Sequence, residues 1–518
     1  MPEHVRALIV VLALSGAVFY AARPALIQVI PASTFDRWRK LWFFTTLAWF
    51  LSGNVWIYVA LMVVVLTIVR KKESQVFGLY LLLLFAAPSA HAPVPGFGVI
   101  DHLLMLDHYR LLSLALLLPV ALTLKNQADT ARFGRSPVDW MVFGYLALTW
   151  LVTVPETSAT NALRAGVLQF IDGWLPYYVA SRSIKSFDDF RAALCGFLLG
   201  ALMLSILATF EVARSWKLYI ASIVEYGLPV SQAYKLRGPF IRPGAAVQDS
   251  IVLGTVVVLG LSAWLYLKGQ IAGRFRTTVL GALLFVGLLA SLSRAPWMAG
   301  FLLFFMFHLQ DGKNLKNLLK GALVVSLGTI LLSLFPAGQV IIDLLPFVGQ
   351  SEQGSIDYRM NWFSAAVPVI ERNFWFGDVR ALGAPELEIM RNGEGIIDLV
   401  NTFLGVTMLY GVVGLFFFVG SFLMSLRLSW RTRLRFARLR DRHAVNLGRA
   451  MVAAVVCIMF ILITMSPISV IPILIWSFAG FSAAYDRLGF REPGRIDSPN
   501  GAVVLNPGAR SSATGHVQ

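Results

Sequence analysis

Residues 399–449 read LVNTFLGVTMLYGVVGLFFFVGSFLMSLRLSWRTRLRFARLRDRHAVNLGR. The stretch 399–426 carries no charged side chain and exceeds the roughly 20 apolar residues that cross a bilayer as a helix. Directly after it come Arg427, Arg431, Arg433, Arg435, Arg438, Arg440, Arg442 and Arg449. Short segments rich in arginine and lysine stay on the cytoplasmic side, so this span enters from outside at 399 and ends inside at 427.

Working backwards from residue 399, the stretch 335–398 is polar and carries nine acids (Asp343, Glu352, Asp357, Glu371, Asp378, Glu386, Glu388, Glu394, Asp398) against four arginines and no lysine. Its charge is the reverse of the segment that follows the span, so it reads as an outward-facing, periplasmic insert. A membrane protein with one elaborated outer loop is expected to handle something at its outer face.

The whole chain shares this character. Hydrophobic residues make up 57% of 518 and charged residues 14%, with a mean hydropathy of +0.70. A soluble domain carries about 25% charged residues, so the composition is that of a polytopic membrane protein. Forty-four basic side chains against 28 acidic ones leave +16. In short loops between apolar spans this excess reads as topology and contact with anionic lipid, not as nucleic-acid binding. Cys195 and Cys457 both fall within apolar spans, so no disulfide or zinc framework is expected. The seven histidines show no paired ligand spacing, and neither a metal nor a cofactor is expected.

Candidate spans lie at 5–22, 54–69, 76–87, 111–124, 138–154, 162–181, 190–212, 250–267, 277–292, 297–308, 319–335, 399–426, 450–466 and 470–485. The run 5–22 lacks the charged start and small-residue cleavage site of a signal peptide and is kept as a helix. Residues 42–51 read as an interfacial or additional half-helix. The fold is therefore an all-α, polytopic transmembrane helix bundle of about 12–14 helices, with a large periplasmic loop carrying short helices. Basic residues mark every second loop: Arg70 with Lys71 and Lys72, Lys125 with Arg132 and Arg135, Arg182 with Lys185, Lys268 with Arg274 and Arg276, and Lys313 with Lys316 and Lys320. Connections 88–110, 155–161, 213–249 and 293–296 then face outward with the insert. This threading leaves both termini in the cytoplasm and strands Arg37, Arg39 and Lys40 outside. If 42–51 crosses the membrane, those three become cytoplasmic and the N-terminus moves outside. Residues 1–491 form the membrane domain, with the insert at about 336–398. The Gly/Ser/Pro-rich tail 492–518 reads as disordered and cytoplasmic. No inverted repeat or interrupted span is evident.

Three outward-facing clusters set arginines beside helix ends: Lys235-Leu236-Arg237-Gly238-Pro239-Phe240-Ile241-Arg242-Pro243-Gly244, Ser291-Leu292-Ser293-Arg294-Ala295-Pro296-Trp297, and Asp357-Tyr358-Arg359-Met360-Asn361-Trp362. A guanidinium stays charged and donates in a planar fork that matches phosphate. Each arginine alone is as well explained by snorkelling to the interface. Three clusters on a face that is normally poor in arginine point to an anion site.

These segments resemble the O-antigen ligase and O-antigen polymerase superfamily. The likeness begins at Leu175-Pro176-Tyr177-Tyr178 and the following Ser183–Arg191 stretch. It continues through Arg237-Gly238-Pro239-Phe240 with Pro243-Gly244, which is similar to R-G-x-F-x-x-P. Ser291-Leu292-Ser293-Arg294 is similar to S-x-S-R, and Arg359 with Trp362, Ile370 and Gly377 to R-x-x-W…I-x-x-x-P-x-x-G. Asn401-Thr402-Phe403-Leu404 with Gly411 and Gly414 is similar to H-N-x-x-L…G-x-x-G. Two positions depart from the pattern: Phe374 stands where proline is usual, and Val400 stands where histidine precedes the asparagine. Valine neither accepts nor delivers a proton, and that departure leans the reading from ligase towards polymerase.

The resemblance implies transfer of glycan from a polyprenyl-diphosphate-linked oligosaccharide at the periplasmic face of a bacterial inner membrane. Polymerisation of exopolysaccharide or O-antigen repeat units is the leading expectation. A ligase that hands finished glycan to a lipid or protein acceptor is the alternative, and a lipid-linked glycan transporter or flippase is the reading from a different class. Expected partners are the undecaprenyl-type carrier lipid, membrane lipids, a chain-length regulator and other polysaccharide assembly proteins. Arg237, Arg242, Arg294 and Arg359 are the expected diphosphate clamp, and Asp398 and Glu371 the candidate bases. For both acids, ion pairing within the insert is the competing role. Asn401 either orients the acceptor or caps the following helix. Asp172 and Arg164 sit two helical turns apart, too far to touch, and should find separate partners. His91, His102 and His108 read first as loop residues.

Overall fold

The computed structural model describes residues 1–98, 100–230, 234–311, 353–391, 395, 397, 399–490, 495–497 and 503–505; side chains are described from 358 in the helix that starts at Gln353, and up to 490. The expected span 319–335, Asp398 and most of the tail lie outside the described residues.

The chain is a bundle of helices with three two-stranded hairpins. Helices α1 (Glu3–Leu26), α2 (Ala32–Leu51), α3 (Val55–Arg70) and α4 (Val76–Leu83) lead to a hairpin of β1 (Ala92–Pro95) and β2 (His102–Leu106). Next come α5 (His108–Leu112), a π turn at Ser113–Leu117, α6 (Leu118–Lys125), α7 (Pro137–Thr153), α8 (Ala159–Gln169), a second π turn at Phe170–Trp174, and α9 (Leu175–Ser183). Helix α10 (Phe187–Arg214) and the short α11 (Ile220–Glu225) precede the hairpin of β3 (Leu236–Arg237) and β4 (Phe240–Ile241). Helices α12 (Ser250–Leu267), α13 (Arg274–Ala290) and α14 (Arg294–Leu309) follow. After the insert helix α15 (Gln353–Arg372) come α16 (Thr402–Arg438), α17 (Arg442–Leu462) and α18 (Ile471–Leu488).

Among the described residues seven helical stretches are long and apolar enough to cross a membrane: Glu3–Leu26, His108–Lys125, Pro137–Glu156, Phe187–Arg214, Ser250–Gln270, Thr402–Arg438 and Arg442–Leu462. Buried α10 and α12 form the centre. Ser186 and Asp189 cap α10 reciprocally, and Ser215 ends it in the left-handed conformation (φ 49°). Helix α10 meets α4 backbone to backbone: a Cβ on Gly196 would fall 2.1 Å from the Gly78 carbonyl oxygen, so only glycine permits this approach.

Polar ties sort the helix ends onto two faces. On one, Trp216 Nε1 donates to Glu3 (2.8 Å), Trp49 Nε1 to Ser222 (3.0 Å) and Ser89 N to the Ala246 carbonyl (3.0 Å). On the other, Arg37 pairs with Glu73 (2.7 Å), Ala272 N donates to Gln28 (2.6 Å), Arg487 donates to the Ile184 carbonyl (2.6 Å) and Arg449 to the Phe307 carbonyl (2.8 Å). The second face carries the arginine-rich loops. The sequence 42–51 is therefore the last half of a full helix, α2, that joins the two faces. Arg37 belongs with the basic loops, and Glu3 lies at the other face, with Trp216. Glu3 and Arg487 are tied to opposite ends of α10, through Trp216 just after it and Ile184 just before it. Arg37, Arg39 and Lys40 interrupt the apolar run of α2, so its first half carries no span-like pattern.

Candidate functional site

The Lys235–Gly244 segment folds back on itself because Gly238, at φ 56°, takes the first position of a two-residue hairpin turn. Leu236 pairs with Ile241 and Arg237 with Phe240, and Arg242 N donates to the Lys235 carbonyl (2.8 Å) to extend the ladder. This register sets Lys235 opposite Arg242 and places both on the hairpin face that also carries Arg237. Like charges directly opposite each other repel.

The hairpin is held at the end of α10 by Glu211. Its buried carboxylate accepts from Gly244 N, Ala245 N and Leu218 N, each at 2.9 Å. The same turn brings up Lys217, a residue the sequence reading missed. Lys217 is 5% exposed, lies 5.8 Å from the Tyr234 ring and feels Arg242 and Lys235 as like charges. Burial pulls Lys217 below the ordinary lysine range, against the attraction of Glu211 and Asp249. Burial likewise lowers Arg242, opposed by Asp249, and its Nε is buried without a hydrogen bond to any described residue. Glu211 and Asp249 are both engaged by backbone N–H groups, the latter capping α12 through Ile251 N and Val252 N. Among the described residues, Lys217, Lys235, Arg237 and Arg242 gather here with Glu211 and Asp249, an arrangement whose guanidinium forks suit an anion.

The second arginine cluster adjoins the first. Arg237 Nη1 donates to the Leu292 carbonyl at 2.7 Å, and Leu292 holds a left-handed φ of 48° in the turn that leads to Arg294. Half-buried Arg294 opens α14. Of the four expected clamp residues, the fold thus gathers Arg237, Arg242 and Arg294 at one patch. Arg359 is exposed on α15, and among the described residues no acid pairs with it.

The insert organises around Trp362, fully buried with Ala366, Val369, Leu387 and Met408. Its other arginines are spent on ion pairs: Arg372 with Glu386 (2.6 Å), Arg391 with Glu388 (2.7 Å) and Arg380 with Glu156 (3.3 Å). Glu371 is exposed, and Asp398 lies outside the described residues. The Asn401 side chain accepts from Leu404 N (3.1 Å), so it caps α16.

Contrary to the sequence reading, one span is broken. Helix α16 is non-helical at Gly411 (φ 65°, ψ −172°), and the stretch 374–378 lies against the gap. Val412 N donates to the Phe374 carbonyl (2.9 Å), Val413 N to the Trp375 carbonyl (3.2 Å) and Asp378 N to the Met408 carbonyl (3.0 Å). The insert backbone thereby satisfies groups that an interrupted helix would leave bare.

Asp172 and Arg164 do find separate partners. Asp172 receives a bidentate pair from Arg110 (2.9 Å), while Arg164 donates to the Leu103 carbonyl (2.9 Å). His108 is wedged between Tyr58 (2.7 Å) and the Leu83 carbonyl (2.8 Å), a buried structural role. The described residues also line a space of about 770 Å³ between Leu118 and Tyr178, beside Lys125 and Arg132 on the opposite face, away from the arginine patch.

No curated protein matches the chain. Residues 279–419 match the family described as O-antigen ligase, a stretch that runs from α13 through the Arg294 turn and the insert to the broken part of α16. The 235–244 hairpin lies before that stretch and is tied to it through Leu292. The chain is a multi-pass helical membrane protein whose residues 279–419 are similar to the O-antigen ligase family, a match that supports glycan transfer of the ligase or polymerase kind in general.

Proposed function

We propose that this protein polymerises lipid-linked oligosaccharide repeat units at the periplasmic face of a bacterial inner membrane, with the basic loops and Arg487 inside and Glu3 outside. The observation that carries the reading is the tie between Arg237 and the Leu292 carbonyl, which sets two cation-bearing segments side by side next to buried Lys217 and half-buried Arg242. A polyprenyl diphosphate is already a good leaving group. The acceptor hydroxyl oxygen attacks the anomeric carbon, and the bond from that carbon to the phosphate oxygen breaks with its electron pair. The work left for the protein is to stabilise the charge that grows on the diphosphate and to take the hydroxyl proton. Arg237, Arg242, Arg294 and Lys217 suit the first task because Arg237 is fixed on the Leu292 carbonyl, Arg294 follows two residues on, the hairpin register puts Arg242 on the face of Arg237, and Lys217 lies close enough to feel Arg242. Arg359, exposed on the insert, joins them when donor is bound.

The description of the matched family favours a second reading, transfer of finished glycan to a lipid or protein acceptor. Deleting the gene separates the two. Polymerase loss leaves single repeat units on carrier lipid and no long-chain glycan, whereas ligase loss leaves full-length glycan on the carrier. Unchanged carrier-linked glycan and unchanged polymer would dismiss both.

A further inference from the structure

The reaction needs a proton acceptor, and the insert acids do not supply an organised one among the described residues. The hairpin β1–β2 does. Ala92 pairs with Leu106 at its open end, so the next residues outward, His91 and Asp107, stand opposite each other. His91 Nδ1 lies 3.4 Å from Asp107 Oδ2. The Asp107 side chain is 5% exposed and that of His91 is 49% exposed, which is the arrangement of a buried orienter behind an accessible ring. Asp107 is itself fixed, because its Oδ1 accepts from Arg110 N at 2.8 Å. Arg110 is held in turn by Asp172. With Nδ1 facing a carboxylate, the proton of the neutral ring belongs on Nδ1, and Nε2 keeps its lone pair for an incoming group.

This pair stands beside the arginine patch. Ser89, two residues before His91, donates through its N–H to the carbonyl of Ala246, in the loop that Glu211 clamps just after Arg242. Two extended residues span about 7 Å, so the His91 backbone lies within roughly 10 Å of that loop. Tyr109, two residues after Asp107, has its buried hydroxyl near Ser469 and Ser89, without a hydrogen bond to a described residue. The turn containing Ser469 also holds the start of α16: Thr402 donates to the Met465 carbonyl and Ser466 to the Leu399 carbonyl. Arginine loop, His91 hairpin and the outer end of α16 thus meet at one place.

We propose that His91 is the general base of the glycan transfer and that Asp107 is its positioning residue, an assignment that rests on the transferase reading above. As the acceptor oxygen bonds to the anomeric carbon, its proton passes to His91 Nε2. The electron pair of the broken bond leaves on the diphosphate at the arginine patch. The imidazolium then returns its proton to water.

The test uses the full-length protein in membranes of the deletion strain, which hold the accumulated carrier-linked glycan, with polymer formation as the readout. His91→Ala is expected to lower the rate about 100-fold or more at an unchanged protein level, as loss of a general base does, and added imidazole is expected to restore part of it. His91→Gln keeps size and polarity and is expected to be as inactive; if the alanine variant fails to accumulate, this one decides. Asp107→Asn keeps the helix cap, since asparagine caps as well as aspartate, and should lower the maximal rate without raising the donor concentration needed for half of it. A His91→Ala or His91→Gln protein that still makes polymer, while Arg294→Ala does not, overturns the dyad and leaves glycan transfer standing. Failure of the wild-type protein to make polymer from the same membranes overturns the reading on which both rest.

Discussion

Gly377 and Gly411 lie back to back where the insert touches the broken helix. A Cβ on Gly377 would fall 2.4 Å from Tyr410 N, and one on Gly411 would fall 2.2 Å from the Trp375 carbonyl group. Both residues hold positive φ, 69° and 65°. Alanine at either place meets a clash with backbone, which cannot step aside, and a left-handed conformation costing about 1–2 kcal/mol. Gly411→Ala and Gly377→Ala are expected to detach the insert. Limited proteolysis from the outer face should then cut between 360 and 400 at least tenfold faster; an unchanged cleavage rate would show that the contact is dispensable.

Arg237 acts on two partners at once, the Leu292 carbonyl and the anion proposed beside it. Arg237→Lys retains one charge and loses the fork, so it should retain partial polymer synthesis, whereas Arg237→Ala and Arg294→Ala should abolish it. Removing one preorganised donor from a developing anion costs about 2.7–4 kcal/mol, or roughly 100- to 1,000-fold in rate. The measurement is polymer length and amount at matched protein levels. Normal chains from Arg237→Ala would remove that arginine from the site.

Lys217 is drawn below its ordinary 10.5 by burial, so its charge is lost as pH rises through that lowered value. Stability runs the opposite way from activity. The unfolded chain binds more protons here than the folded one, so this group's contribution to folding improves with rising pH and is complete above 10.5. Donor binding, which needs the cation, should weaken on the alkaline side before pH 10.5 is reached. Lys217→Arg should push that alkaline limb upward. If the two limbs coincide, Lys217 does not meet the anion.

The placement of Glu3 and Arg487 at opposite faces gives a direct test of topology. Cys195 and Cys457 are buried and should stay silent towards impermeant thiol reagents. A cysteine at Gly383, where nothing lies within 4 Å of a new Cβ, should label from outside, as should one at Pro2. One at exposed Arg440 should label only after the membrane is opened. Labelling of the Pro2 site from the inside alone would return the N-terminus to the cytoplasm.

The class of fold was legible in the chain because a bilayer leaves backbone groups no partner but their own helix, and apolar run length reports that directly. Arginines such as Arg427 and Arg449 read in the chain as markers of sidedness, yet Arg449 also bonds the Phe307 carbonyl of another helix. Arg237, Arg242 and Arg294 stood out in the chain by their charge. Distances across the bundle did not. No local pattern says that Lys217 folds under the 235–244 hairpin, that Arg237 reaches Leu292, or that a glycine in an apolar helix marks a break filled by a segment more than thirty residues earlier. Nor does it say that His91 and Asp107, either side of a hairpin, come to face each other, while His108 next door is walled in by Tyr58 and Leu83. Periodicity and charge act along the chain and can be read from it. Which charged groups share a space depends on how tightly the helices pack, and that is decided only when distant side chains compete for the same volume.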